Sequence, residues 1–440
     1  MAKKVPGPLG WPLTGSLYAI SYDLLGFLER SRARYGDLLR LRVAWVPVYV
    51  ASSPEDARHV LLEHRDNYEK TSRSSVEIRH IAGTSLLTAN GADWTEKRRL
   101  LQPAFKVGAV GAYHEVMNTA TEEMLARWRR DFPDGGVLDM AQEMMRLTYR
   151  IVSEALLGED LRHTAGIVDA ALEIMLQRVV TRLKRPSLPI AWPTPANLKF
   201  QRERRRLHEL IDGIIARRRA QQREPRDLLD AMIQATDNQT ATLDPLWLRD
   251  EVMTLLLAGH ETTANALNWT WHLLSQHADI QERAFAAADG DENPLAIPYL
   301  RQVLFESMRL YPPIWLVERQ ARAADTLGGY DIPAAATVAV AIWLLHRHPD
   351  HWPEPERFDP ERFRDSPAQG RPGHHYLPFG LGPRMCLGMN FAVNEAMIIL
   401  ARCLTHIRVQ PLDGAQPVVP LAGVTLRPRD GLPLRFHWRD

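Results

Sequence analysis

The sequence predicts a mainly α protein with small β-sheets, and three observations carry that prediction. Apolar residues recur at helical spacing through most of the first 310 positions. One such run, 246–277, is too long for an ordinary surface helix and is expected to cross the whole core. Strand-like text is confined to short pieces within about 36–60, 311–345 and 418–436. The 440 residues are therefore expected to form a single domain, 1–440, with those three parts β-rich and the rest helical.

Each element has its own signal. Residues 16–36 read as an amphipathic helix ending at a glycine, and 38–50 as strand, with Val43, Val46, Val48 and Val50 around a short turn. A helix is expected at 54–63, then an irregular stretch over 67–92 holding a short helical piece, then a basic helix at 94–103. Amphipathic helices follow at 110–131, 140–157, 162–183 and 197–222, the last two separated by a proline-rich loop at 186–195. Asp244 and Pro245 suit the cap and first position of the long helix. Another helix spans 294–310, and from 311 to 363 the text turns to short strands and proline-rich loops. In the tail, Gly423-Val424-Thr425-Leu426 and Gly431-Leu432-Pro433-Leu434 read as the two arms of a hairpin.

Composition narrows the function. A formal net charge of +1 does not suggest a nucleic-acid binder. The runs 202–206 and 217–219 are basic but interleave with Leu207, Ile211, Ile214 and Ile215 at helical spacing, as a solvated helix face does. Two cysteines, Cys386 and Cys403, make no disulfide framework and fit a reducing compartment, hence a cytoplasmic location. Residues 1–16 hold no apolar run long enough for a signal core or a membrane span. Lysine occupies seven positions and arginine 47, a bias that points to a GC-rich, bacterial genome.

The chemistry centres on Phe379-Gly380-Leu381-Gly382-Pro383-Arg384-Met385-Cys386-Leu387-Gly388. A thiolate is a soft ligand for iron and an electron donor to it. Gly380, Gly382 and Gly388 allow tight turns and close approach to a flat partner. The apolar helix after Gly388, which holds Cys403 as a core residue, directs its N-terminal amides toward the sulfur. Mid-way along the long helix stands Ala258-Gly259-His260-Glu261-Thr262-Thr263. Leu255, Ala258, Gly259, Thr262 and Ala266 share one face, small enough to lie against a flat macrocycle. The Thr262 hydroxyl is placed to bond the carbonyl of Ala258 and open the helix, and Glu261 supplies an adjacent carboxylate for proton transfer. Glu306 and Arg309 stand three apart on another helix, and Trp94 and Arg98 one turn apart on a third.

The loop matches Phe-x-x-Gly-x-Arg-x-Cys-x-Gly, and with the other motifs, in the same order, the chain resembles the cytochromes P450 from about Pro6 to its end. The resemblance implies the P450 fold, with the long helix over a haem b and the cysteine loop beneath it. Cys386 is then the iron ligand, with Phe379, Gly388, Ala258 and Gly259 lining the haem. Arg98, Arg384 and Arg319 would clamp the haem propionates, Trp94 adding a donor. Thr262 would steady dioxygen and Glu261 relay protons. Glu306, Arg309 and Arg362, preferred over Arg357, would form a structural triad holding the loop. His260 is expected to face away, and His374 and His375 to be loop residues.

The implied reaction inserts one oxygen atom from dioxygen into a substrate. The substrate pocket maps to 67–92, the 186–195 loop, Ile314, Trp315, Leu316 and Val317, and 422–424. Its apolar character points to a hydrophobic small molecule: terpenoid, carotenoid, fatty acyl or polyketide-like. Electrons would come from a ferredoxin and ferredoxin reductase docking on the cysteine side, where Lys97, Arg99 and Lys106 supply positive charge. The competing readings are a peroxide-driven peroxygenase or decarboxylase, against which the Glu261–Thr262 pair speaks, and a haem sensor, which would need an output domain.

Overall fold

The structure is a computed structural model that describes residues 4–184, 187–221, 227–237, 246–291, 293–365 and 374–439. Asp244, Pro245 and Pro186, singled out above, lie outside the described residues.

The chain opens with α1 (Leu17–Tyr35), stopped at Gly36 by a φ of 92° that favours glycine. The hairpin β1 (Leu38–Val43) and β2 (Val46–Ala51) follows in antiparallel register. Next, α2 (Pro54–Arg58), capped by the Ser53 hydroxyl on the Asp56 amide, runs directly into a π-helical turn over His59–Glu63. Then come β3 (Tyr68–Glu69), α3 (Arg73–Ala82), α4 (Gly91–Leu101) and α5 (Val107–Val110). A helical layer is built from α6 (His114–Asp131), α7 (Met140–Leu157), α8 (Ala165–Lys184), α9 (Pro195–Ala220) and α10 (Leu228–Asp237), with β4 (Gly136–Asp139) before α7. The central α11 (Trp247–Gln276) leads to α12 (Ala278–Ala288) and α13 (Pro298–Leu310). Strands β5 (Val317–Ala321), β6 (Asp325–Leu327), β7 (Tyr330–Ile332) and β8 (Thr337–Val340) precede the short α14 (Ile342–Leu345). After the cysteine loop come α15 (Met389–His406), β9 (Ile407–Pro411), β10 (Pro420–Ala422), β11 (Leu426–Pro428) and β12 (Pro433–Trp438).

The largest sheet has the order β1-β2-β8-β5-β3, with β2 and β8 parallel. The tail departs from expectation. Its two glycine-led stretches do not pair with each other: β11 pairs β10, whereas β12 lies between β4 and β9. The reason is burial. Leu426 closes a cluster with Trp269, Leu39 and Leu41, while Leu434 and Phe436 enter the main helical core. Several elements went unforeseen in the sequence, and strands β3, β4 and β9 lie outside the three parts expected to be β-rich. Helix α12 follows α11 after a single non-helical residue, His277 (φ −127°, ψ 81°), and α10 is a short ten-residue helix.

The main core wraps α11. Trp247, Trp269 and Trp271 of this helix are fully buried, each removing on the order of 200 Å² from water. Polar groups at its start pin the 67–92 stretch, since Asp250 accepts from the Thr84 amide at 2.8 Å and Glu251 from the Leu86 amide at 2.9 Å. Gly83 permits this, because a Cβ there would sit 2.0 Å from the Asp250 carboxylate. The basic face of α9 is not wholly solvated either. Arg218 is buried and bonds Asp227, Asp230 and the Leu157 carbonyl.

Candidate active site

The cysteine loop is shaped by two glycines rather than three. Gly380 and Gly382 adopt φ of 78° and 74°, and a Cβ on Gly382 would lie 2.3 Å from the Leu61 carbonyl oxygen. Gly388 has φ −85° and caps α15; a Cβ there would make only ordinary contact with Phe105. Its contribution is its amide, which faces the Cys386 sulfur. The Cys386 amide donates to the Phe379 carbonyl at 2.9 Å, closing the loop. Burial pushes the thiol's pKa up, and the Gly388 amide and the Arg98 guanidinium oppose that shift. Cys386 thus sits deep in the fold and yet presents an exposed surface, so it opens onto an internal space.

The middle of α11 shows the same pattern. Between Glu251 and Trp271, where the helix is otherwise buried, Ala258 is exposed and Leu255, Gly259 and Thr262 are partly open, the face expected from spacing; Ala266 is closed. The Thr262 hydroxyl donates to the Ala258 carbonyl at 2.7 Å. Gly259 owes its size to helix packing: a Cβ there would come within 2.8 Å of Val152 on α7. His260 points into that packing, against Tyr149, with Nε2 3.6 Å from Asp169; burial lowers its pKa to about 4. Glu261 is buried and accepts a 2.6 Å hydrogen bond from Thr425, which also accepts from Asn265 at 3.2 Å. Burial raises the Glu261 carboxyl, and the Thr425 hydroxyl partly offsets this.

Four cations gather around the cysteine side. Arg384 donates to the Ala89 carbonyl at 2.8 Å and to Asn90 Oδ1 at 3.1 Å; Arg98 donates to the Met385 carbonyl at 3.0 Å. The Trp94 ring lies under both guanidiniums, at 4.6 Å from Arg384 and 5.8 Å from Arg98. Arg319 is buried on β5 and donates to the Glu318 carbonyl. Lys70, which sequence reasoning missed, donates to the Leu87 carbonyl at 2.8 Å. Burial lowers these groups, and repulsion adds to it for Arg319 and Lys70: Arg319 falls to about 10, by burial and then Arg384, and Lys70 well below the usual range, by burial and then Arg319 and Arg384; for Arg98, Cys386 opposes the effect of burial. Among the described residues none of the four has a carboxylate within 4.0 Å. One buried and three half-buried cations with no carboxylate in contact among the described residues favour an anionic group, and a macrocycle bearing two carboxylates would fit them.

The structure brings Glu306, Arg309 and Arg362 together. Arg309 Nε is 2.7 Å from Glu306 Oε2, both side chains fully buried, and Arg362 Nε is 3.3 Å from Glu306 Oε1. Arg357 instead pairs at the surface with Glu354, although its carbonyl accepts from Arg309. Arg309 also donates to the carbonyls of His346 and Pro355, tying α13 to the loops ahead of the cysteine.

On the Thr262 side of α11 lies a cavity of about 420 Å³, bounded by Ala258, Glu261, Ile314, Trp315, Leu316 and Val424 among others. Its walls also draw on α1 and the β1–β2 hairpin through Ile20, Leu24, Val46 and Val48, which the sequence did not suggest. Val317, expected in the pocket, begins β5 and packs instead on the core beneath the sheet. Trp315 is fixed by its indole N–H on the Gly423 carbonyl at 3.0 Å. Lys97, expected to face a partner, is fully buried and bonded to Asp93 and the Thr84 carbonyl. Arg99 and Lys106 are exposed and line a surface recess together with Arg98 and Trp94. His375 packs on Trp352 and His351.

Comparison with known proteins agrees with this geometry. The family described as "Cytochrome P450" matches residues 5–434. The chain is 34% identical to cyclooctatin synthase of Streptomyces melanosporofaciens, covering 93% of this chain and 90% of that one. It is 32% identical to cyclooctat-9-en-7-ol 5-monooxygenase of the same organism (92% and 89%) and 29% identical to pentalenene oxygenase of Streptomyces avermitilis (95% and 94%). The crystal structure of the cytochrome P450DA heme domain superposes with a TM-score of 0.88 at 27% identity, covering 100% of this chain and 99% of that one.

Proposed function

The chain belongs to the cytochrome P450 family, and from that premise we propose that it hydroxylates a terpenoid-type hydrocarbon skeleton, with electrons delivered by a ferredoxin and its reductase. As a member it is a haem-thiolate monooxygenase acting on a hydrophobic substrate. Among the described residues no helix is long and apolar enough to cross a membrane.

The observation that carries the reading is the cavity beside Thr262. Its wall is dominated by aliphatic side chains and Trp315, so a bound molecule is recognised by shape and apolar burial. At roughly 25 cal/mol per Å², a rigid hydrocarbon gains most from such a wall and needs few polar handles. The oxygenase relatives named for pentalenene and cyclooctat-9-en-7-ol favour the same class.

When bound, a haem held by the Cys386 sulfur would supply activation of dioxygen for insertion of one atom into the substrate, the other leaving as water. The chain's residues do the rest. Arg98, Arg319, Arg384 and Lys70 would hold the two carboxylates of the haem. Thr262, through its bond to Ala258, holds a hydroxyl on the cavity face of α11, which runs unbroken there and is not opened as the sequence suggested. Glu261 takes up and releases protons at the carboxylate that Thr425 orients. Trp315 and Val424 position the substrate and exclude water.

Titration of the haem-loaded protein with a panel of cyclic terpenes, fatty acids and macrolides tests the substrate class. Terpenes are expected to give the low- to high-spin change at the lowest concentrations; a response confined to fatty acids or macrolides would overturn it. The donor is tested by a double charge reversal, Arg99→Glu with Lys106→Glu. Ferredoxin-supported turnover should require at least tenfold more ferredoxin, with peroxide-supported turnover unchanged. Product from peroxide alone, with none from NAD(P)H and ferredoxin, would favour the peroxygenase reading.

A further inference from the structure

We propose that His59, His64 and Asp325 form a site for one divalent transition-metal ion of the Zn²⁺ type, separate from the haem site. The π-helical turn over His59–Glu63 creates it. In an α-helix, positions i and i+5 diverge by about 140° at 3.6 residues per turn. Here the His64 amide donates to the His59 carbonyl at 2.8 Å, the i+5 bond of a π turn, and the two imidazoles come face to face with centroids 3.9 Å apart. Asp325 reaches them from β6, its Oδ2 lying 2.8 Å from His59 Nε2. One ligand atom from each residue lies within 4.8 Å of the other two.

The donor set suits the ion. Two imidazoles and a carboxylate, with an open fourth position, are ordinary zinc ligation. Metal–ligand bonds of about 2.1 Å span ligand atoms up to about 4.2 Å apart. The exposed His64 side chain closes the remaining gap by rotation, and it leaves the site open to solvent. Groups behind the ligands hold the carboxylate in place: the Tyr68 hydroxyl donates to Asp325 Oδ2 at 2.9 Å and the Thr326 amide to its Oδ1 at 2.8 Å. The surrounding charge favours a cation. Asp56 is buried one helical turn before His59, whose amide donates to its carbonyl, and Arg58 is neutralised by Glu63 at 2.9 Å. The same turn supports the cysteine loop, because Gly382 is seated against the Leu61 carbonyl. A bound ion would clamp the turn on which that loop rests.

The test is a calorimetric titration of the haem-loaded protein with Zn²⁺ in a non-coordinating buffer at neutral pH. Wild type should take up one saturable equivalent, and His64→Ala should weaken it at least tenfold. His64 is exposed, so its replacement leaves the fold and the haem spectrum intact. His351→Ala, in the separate His348–His351–His375 group, should leave the isotherm unchanged. No saturable uptake by wild type, an unchanged isotherm in His64→Ala, or loss of uptake in His351→Ala would each overturn the proposal.

Discussion

The Thr425 hydroxyl donates a 2.6 Å hydrogen bond to the Glu261 carboxylate, joining the β10–β11 hairpin to the middle of α11 across 164 residues of sequence. A bond to the ionised form favours that form. Burial is the larger influence and raises the Glu261 pKa; the Thr425 bond and Arg427 work against it. In Thr425→Val the opposing bond is gone, so the pKa rises further. The acid limb of the rate profile, where it reports ionised Glu261, should move to higher pH. Product formation measured from pH 5 to 9 checks the direction; a shift to lower pH, or none, would remove Glu261 from the proton path.

Thr262 bonds the helix carbonyl of Ala258 at 2.7 Å, and Thr262→Ala removes both that bond and the hydroxyl. The helix itself should fold unchanged, since alanine is the best helix former. Product per NAD(P)H should fall several-fold while oxygen consumption continues. Equal coupling in the variant and wild type would assign Thr262 to helix geometry alone.

Arg384 and Arg319 share the cradle with Arg98 and Lys70 and lack carboxylate partners among the described residues. If they hold the haem carboxylates as proposed, replacing either by leucine deletes a charge-assisted contact, a loss of about 1.5–3 kcal/mol. Transfer of haem to a scavenger protein should therefore speed up by roughly ten- to a hundredfold. The apoprotein, relieved of repulsion between neighbouring cations, should not be destabilised in the same proportion.

Glu306→Gln leaves the fully buried Arg309 guanidinium without its counter-charge and removes the partner of Arg362. Breaking one side of a buried ion pair costs about 3–5 kcal/mol. A lower unfolding midpoint and reduced haem content on purification are the expected results. A variant with unchanged thermal stability would show that the triad does not hold the loop.

Acid should weaken the fold through histidine. His272 packs edge-on to Trp269 and Tyr311, and burial lowers its pKa to about 4. The unfolded chain binds that proton below about 6.5. Stability is therefore present above 6.5 and declines as pH falls toward 4, by about 1.4 kcal/mol per pH unit. His260 acts in the same sense. Asp169, raised to about 6 by burial, acts in the opposite sense between about 6 and its usual value. His272→Phe should flatten the fall in unfolding midpoint between pH 6.5 and 4.5 relative to wild type.

Much of this molecule is written in short-range sequence. The Thr262–Ala258 bond, the Glu306–Arg309 pair and the turns at Gly380 and Gly382 each depend on residues at most four positions apart. Helical spacing or a local dihedral suffices to foresee them. The loop around Cys386 that carries the family signature was likewise legible in ten consecutive residues.

What lay beyond reach depends on distant neighbours. Lys97 looked like a surface cation and is buried on Asp93 and Thr84; Arg218 looked solvated and is enclosed by two aspartates. Lys70 joins the cationic cradle only because β3 pairs with β5, which carries Arg319. The two arms read as one tail hairpin went to different sheets because Leu426 and Phe436 bury in different clusters. The sequence by itself determined the helical class, the family and the cysteine loop proposed to hold the iron, since these rest on local periodicity and one contiguous stretch. Only the tertiary structure decided which charges are buried, which apolar residues line the cavity, and that Thr425 meets Glu261. Burial and charge pairing are set by whatever the fold brings within a few ångströms, however far apart along the chain.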